Sequence, residues 1–151
     1  MIITHHTNSF LSVKSGSFRF VSDPWSGEAN YGGWRSLPEL ANPELINILD
    51  DTKLLYISHL HSDHFCPQVL KLIKNKDLTI VIKNFKSKRL LSKIKELGFE
   101  NILELVEWEP KKFGPFEITI IPQGLSNSGD FEDNLDYDLD TSVLIYDTET
   151  K

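Results

Sequence analysis

A chain of 151 residues that is 40% hydrophobic and 25% charged is long enough for one domain with its own core, and it holds no apolar run of transmembrane length. The net charge of −6 sits in one place: residues 130–140 carry six acids (Asp130, Glu132, Asp133, Asp136, Asp138, Asp140) and no base. A single cysteine, Cys66, excludes an intramolecular disulfide and fits a reducing compartment, and the start Met1-Ile2-Ile3-Thr4-His5-His6 lacks the basic and apolar regions of a signal peptide, so a cytoplasmic protein is expected.

Taken in order, Phe10-Leu11-Ser12-Val13 and Phe18-Arg19-Phe20-Val21 read as two short strands around the turn Lys14-Ser15-Gly16-Ser17, a hairpin. Asp23-Pro24-Trp25 ends the second strand, because Pro24 cannot donate to a ladder. Residues 26–38 carry Gly27, Gly32 and Gly33 among the aromatics Tyr31 and Trp34, directly after Trp25. They read as an irregular loop whose aromatic anchors serve either as a lid over the core or as a wall of a pocket. Asn42-Pro43-Glu44 starts a helix, with Asn42 as cap, Pro43 in the first position and Glu44 at the positive end of the dipole. Leu45, Ile46, Ile48 and Leu49 would bury one side of it, and Asp50-Asp51 would close it.

The stretch that carries chemistry follows. Leu54-Leu55-Tyr56-Ile57 is short, apolar and uninterrupted, as in a parallel strand buried on both faces, and Ser58-His59-Leu60-His61-Ser62-Asp63-His64 comes directly after it. Three imidazoles and a carboxylate in this loop are ligands for borderline transition metals such as zinc and iron. His59 and His61 are two apart and in an extended loop can point the same way toward one ion, whereas the adjacent Asp63 and His64 cannot share that direction and can turn to a second. Pro67 suits the first turn of a helix over 68–74, so the loop lies at the carboxyl end of a strand, where open α/β sheets place their ligand sites.

Beyond it, 78–82 reads as a second buried strand. Residues 87–97 form an amphipathic helix with Leu90, Leu91, Ile94 and Leu97 on one face and Gly98 as its stop. Residues 102–106, 117–121 and 141–146 read as further strands. Nine of the sixteen basic residues lie between Lys71 and Lys95 (Lys71, Lys74, Lys76, Lys83, Lys86, Lys88, Arg89, Lys93, Lys95). With Phe85 as the only aromatic among them, they read as the solvated faces of two helices rather than a nucleic-acid surface, and a small molecule is the expected partner.

The pattern His-x-His-x-Asp-His at His59, His61, Asp63 and His64 resembles that of the metallo-β-lactamase fold superfamily without a mismatch. Together with residues 8–11, Asp23-Pro24-Trp25 and Gly33-Trp34, it is similar to the branch that includes CMP-N-acetylneuraminate hydroxylase-like proteins and lactonase-like hydrolases. The resemblance covers about residues 1–65 by motif and the rest as architecture. It implies an α/β chain that forms the amino-terminal part of an αββα sandwich, a starting hairpin followed by alternating strands and helices. It further implies that His59 and His61 bind a first metal, that Asp63 and His64 bind a second, and that Asp23 acts behind the ligands.

That superfamily usually supplies three later ligands: a histidine, an aspartate bridging both metals and a last histidine. No histidine follows His64. The first of the three would fall just beyond strand 117–121, where Gln123 or Asn127 offers a neutral oxygen, poor for zinc but tolerable for a harder ion. Asp140 is the better-charged candidate, the rest of the acidic segment reading as a solvated loop. The bridging aspartate and final histidine have no counterpart. The chain is therefore expected to be the front of a longer protein, its domain over residues 1–151 incomplete at the carboxyl end. Its last strand would be an unpaired edge, and the second sheet and outer helices of the sandwich would be missing. The implied function is metal-assisted hydrolysis, with one or two Zn²⁺ ions held by the motif and Asp63 also orienting the attacking water. The substrate could be a lactone, phosphoester, phosphodiester or amide. Iron-dependent oxygen or redox chemistry of a hydroxylase type, and a non-catalytic metal-binding half-domain, are the alternatives.

Overall fold

The computed structural model describes residues 1–122 and 140–149. The chain opens with three antiparallel strands, β1 (Ile2–Thr7), β2 (Phe10–Ser15) and β3 (Phe18–Ser22). The last two are the expected hairpin, turning through Gly16 at φ 54°, a left-handed conformation that glycine adopts without penalty. A two-residue ribbon, β4 (Glu28–Ala29) with β5 (Trp34–Arg35), encloses a 3₁₀ turn at Asn30–Gly32. Then come α1 (Asn42–Asp50), β6 (Leu54–Tyr56), α2 (Pro67–Leu70), β7 (Thr79–Lys83), α3 (Arg89–Glu96) and β8 (Ile102–Leu105). Three strands complete the described chain: β9 (Lys111–Phe113), β10 (Phe116–Pro122) and β11 (Thr141–Asp147).

Two sheets result. The first has the order β1-β2-β3-β6-β7-β8, with β3, β6, β7 and β8 parallel, and the second has the order β11-β10-β9, all antiparallel. The period of two along each strand sorts its side chains between two cores. Val21, Leu55, Ile57, Ile80 and Ile82 face the helices and pack with Leu45, Leu49, Val69, Leu70, Leu90 and Ile94. Their neighbours Phe20, Leu54, Tyr56 and Val81 face the other way and pack with Phe116, Ile118 and Ile120 of β10. This is a helix–sheet–sheet layering, and β6 at its centre is buried at every position. No helix among the described residues is long and apolar enough to cross a membrane.

Several expectations are corrected. The second sheet is not missing: β9, β10 and β11 build it within the described chain. β11 has a partner, pairing with β10 over its whole length from Thr141 opposite Pro122 to Asp147 opposite Phe116, and among the described residues it forms the edge of its sheet as expected. Asn42 is the first helical residue rather than the cap. Ala41 takes the cap position and has no side-chain acceptor, so only the Glu44 carboxylate closes that end, accepting the Ala41 N–H at 3.0 Å. α2 stops at Leu70 instead of running to residue 74, and its tail closes with i−3 hydrogen bonds from Leu72 and Ile73. The basic stretch is not all solvated helix face. Lys83 is a buried strand residue whose ammonium lies 2.6 Å from Glu107, and Lys88 reaches Glu104 at 2.6 Å.

The two sheets are tied together at one buried point. The Thr141 hydroxyl, at the start of β11, donates to the Ser58 carbonyl at 3.0 Å and hydrogen-bonds the Tyr56 hydroxyl. Thr141→Val keeps the shape and leaves both partners unpaired in the core. It should lower stability by about 1–3 kcal/mol in urea unfolding, while Ser142→Ala on the exposed face should change it by less than ~0.5 kcal/mol. Equal effects of the two substitutions would show that the clasp contributes nothing.

Candidate metal centre

At the end of β6 the backbone leaves the sheet with an N–H at Ser58 that has no strand partner. The Asp23 carboxylate supplies one, accepting it at 2.8 Å. Asp23 is held for this task by the backbone: it sits at φ 42°, and its own N–H donates to the Tyr56 carbonyl at 2.9 Å. Aspartate tolerates the left-handed region better than most residues, which suits it to this sharp exit from β3. The loop then turns on the His61 carbonyl, which accepts the N–H groups of His64 and Phe65 at 3.0 and 2.7 Å. Ser9 and Asn30 pin it from outside, Ser9 Oγ donating to the Asp63 carbonyl at 2.9 Å and the Asn30 N–H to Ser62 Oγ at 2.8 Å.

This backbone gathers His59, His61 and Asp140, whose ligand atoms lie within 4.8 Å of one another. His59 Nε2 is 2.9 Å from His61 Nδ1 and 2.7 Å from Asp140 Oδ1. Two ligand atoms on one tetrahedral ion stand about 3.3 Å apart when each bond is ~2.0–2.1 Å, so this cluster needs little movement to receive one. The set is two imidazoles and a carboxylate with no thiol, which suits zinc or iron(II) alike. Asp63 and His64 lie beside it, not in it: Asp63 Oδ2 is 3.6 Å from His64 Nε2, and the His59 and His64 rings are 4.0 Å apart between centroids. All five side chains line one cavity of about 380 Å³, which Asn30 and Trp34 line as well. Gln123, Asn127 and the acids from Asp130 to Asp138 lie outside the described residues.

The aromatic loop divides between its two readings. Trp25 is fully buried in the helix-side core, Trp34 is half-exposed at the cavity wall, and Tyr31 is exposed in the turn. Ser58 is the residue that sequence reasoning passed over. It read as the first residue of a loop, yet it is buried, with its hydroxyl 2.9 Å from His59 Nδ1 and 3.0 Å from His64 Nδ1. Its position directly between a buried strand and the first histidine is the signal that could have found it.

Burial, with the neighbouring His64, pushes the pKa of His59 down to about 4, against the pull of Asp140. Burial alone would lower His64 too. There the hydrogen bond and charge of Asp23, 3.2 Å from Nδ1, outweigh it and raise the ring above its ordinary value. Asp23 is itself raised by burial, against hydrogen bonds from His64 and Ser58. His59 is therefore neutral at pH 7, the state a ligand requires. His59 binds a proton in the unfolded chain near pH 6.5 but in the folded one only near pH 4, so its contribution to stability is lost as pH falls through that window. Metal-free His59→Gln should lose less stability than the parent between pH 6.5 and 4 in urea titrations, and parallel profiles would contradict the burial of a neutral ring.

No family model matches the chain. Over 102 residues it is 30% identical to a protein of Mycolicibacterium smegmatis named for a Rieske 2Fe-2S iron-sulfur protein, a match covering 68% of this chain and 19% of that one. Over 85 residues it is 38% identical to the cytidine monophosphate-N-acetylneuraminic acid hydroxylase of Pan troglodytes, covering 54% of this chain and 14% of the relative. The chain thus spans about a fifth or less of the length of these curated relatives. Among solved structures, a possible metal-dependent hydrolase of Veillonella parvula superposes with a TM-score of 0.69 at 17% identity, over 98% of this chain and 60% of its own. CmlA, a diiron β-hydroxylase from Streptomyces venezuelae, gives 0.61 at 20% identity, over 93% and 26%. YhfI of Bacillus subtilis, a metallo-β-lactamase fold protein, gives 0.55 at 15% identity, over 97% and 53%. The helix–sheet–sheet layers and the motif loop at the end of a central strand are accounted for together by one architecture, and this chain is a metallo-β-lactamase-fold protein.

Proposed function

We propose that the chain belongs to a metal-dependent hydrolase acting on a small molecule, with His59, His61 and Asp140 holding a first ion and Asp63 with His64 contributing beside it. The observation that carries this reading is the convergence of His59, His61 and Asp140 within 4.8 Å at the rim of a cavity that Asp63 and His64 also line. A bound ion would supply Lewis acidity and a water acidified to a pKa of about 7.

The protein's own groups do the rest. His59 stays neutral and keeps a lone pair available. Asp63 is partly buried with its carboxylate in the cavity, placed to accept a hydrogen bond from a water and orient it, as a general base must. Asp23 restrains the His64 ring through Nδ1, leaving Nε2 toward the cavity. The volume of about 380 Å³ suits a small substrate, and Trp34 offers an apolar wall for part of it. Fold neighbours described as hydrolases, including an isothiocyanate hydrolase from gut bacteria of Delia radicum, match nearly the whole chain and support this choice.

Iron-dependent hydroxylation is the second reading. Two imidazoles and a carboxylate also serve non-haem iron, a sequence relative is named a hydroxylase, and CmlA is described as a diiron enzyme. Elemental analysis and a visible spectrum of protein purified without added metal distinguish the two, since Zn²⁺ is colourless.

On either reading His59→Ala/His61→Ala should abolish bound metal, and Asp140→Ala should weaken binding about 10-fold or more, while Asp133→Ala and Asp136→Ala leave it unchanged. Equal metal in the double variant and the parent would contradict the site. Asp63→Asn should reduce hydrolysis by about 10²-fold or more with little change in melting temperature, and unchanged turnover would remove Asp63 from the chemistry.

A further inference from the structure

The ribbon of β4 and β5 stands between two cavities. One is the metal cavity, and the other, of about 370 Å³, opens between the ribbon and the start of α2. They meet at Asn30 and Ser62, which line both and are joined by the Asn30 N–H donating to Ser62 Oγ at 2.8 Å. The ribbon's aromatic rings divide between them, Trp34 lining the first and Tyr31 the second. Tyr31 is held at a cost. It sits at φ 55° and ψ 35°, directly after Asn30 at φ 49°, in a left-handed region that asparagine tolerates and tyrosine disfavours. Its side chain is fully exposed, so nothing among the described residues packs on the ring to offset that strain.

The lining of the second cavity selects its occupant by chemistry. Phe65 and Pro67 give it apolar surface, and the Tyr31 ring adds a second aromatic one. Gln68 and Glu28 give it polar atoms, and among the described residues that line it Glu28 is the one that is charged. That charge is only partly neutralised. The Arg35 guanidinium lies 3.6 Å from Glu28 but 3.1 Å from Glu39, so one cation serves two carboxylates. Such a lining disfavours a phosphate or carboxylate, whereas a ring with an ammonium group meets both its aromatic surfaces and its negative charge. We propose that this cavity is a subsite for the non-reacting end of the substrate, an aromatic ring bearing an ammonium group, with Tyr31 and Glu28 as its specificity-determining residues. The strain at Tyr31 then holds a ring in the open, where the ligand is what packs on it. A substrate reaching past Asn30 would place its reacting bond in the metal cavity. That link rests on the metal-site reading above, whereas the subsite itself does not depend on metal.

The probes are tyramine, a phenol ring with an ammonium tail, and 4-hydroxyphenylacetate, its carboxylate counterpart. The full chain is first treated with a chelator, so that the carboxylate has no ion to coordinate. In ¹H–¹⁵N correlation spectra, tyramine at roughly millimolar concentration should shift the amides of Ala29, Gly32 and Gln68, and 4-hydroxyphenylacetate should bind about 10-fold or more weakly. Glu28→Gln should remove that preference. Tyr31→Gly should weaken tyramine about 3–10-fold and at the same time raise the melting temperature, because glycine adopts a φ of 55° without penalty. A tyrosine that served only the fold would not give those opposite signs. Absence of shifts around the second cavity, equal affinity for the two probes, or unchanged tyramine binding in Tyr31→Gly would each overturn the proposal. Failure of the untreated chain to hold metal would overturn the metal reading instead and leave these outcomes as they stand.

Discussion

Asp23 is a carboxylate removed from water at a place where nothing in the backbone requires an acid. A buried carboxylate is costly unless donors meet it, and here two converge on it: the Ser58 N–H at 2.8 Å and His64 Nδ1 at 3.2 Å. It replaces the strand partner that Ser58 loses on leaving β6, so the loop starts at a fixed point and angle. The left-handed φ of 42° at Asp23 belongs to the same economy of structure. It ends β3 sharply and aims the side chain across to the neighbouring strand rather than along its own. Remove the carboxylate and both the exit of the loop and the ring of His64 lose their reference.

The layering explains how a residue far along the chain enters a site built by a six-residue motif. β6 is buried on both faces because helices cover one side and β10 covers the other. Tyr56, on the β10 side, reaches Thr141 at the start of β11, and Thr141 also closes on the Ser58 carbonyl. Asp140 is the residue before it, so the clasp between sheets also delivers a carboxylate to within 2.7 Å of His59. Packing and coordination are coupled here through one hydroxyl.

How far this could be read beforehand depends on whether the signal was local. The motif loop was legible because four polar side chains stand between an apolar run and Pro67, and no ordinary loop needs them there. Asp140 was named on charge alone, since β10 and β11 are joined through residues that carry no pattern pointing back to His59. β1 was missed because Ile2 and Ile3 are exposed at the sheet edge, so alternation never marks an inside. β9 is three residues with no apolar period. What seats it is the Gly114 turn at φ 55°, where an added Cβ would stand 2.6 Å from the Phe18 ring, a contact with a strand far earlier in the chain. Ser58 offered only its position before the first histidine, because Asp23 and Thr141, which hold its backbone, come near it only once β3 and β11 are in place.

The central claim is that His59, His61 and Asp140 coordinate one ion while Cys66, buried and with its Sγ 3.6 Å from the side-chain Oε1 of Gln68, stays out of the sphere. X-ray absorption at the metal edge of the loaded protein tests it directly. The account predicts a shell of nitrogen and oxygen only, with multiple scattering from at least two imidazoles that disappears in His59→Ala/His61→Ala. A sulfur scatterer in the first shell, or an imidazole signal unaffected by that double substitution, would contradict it.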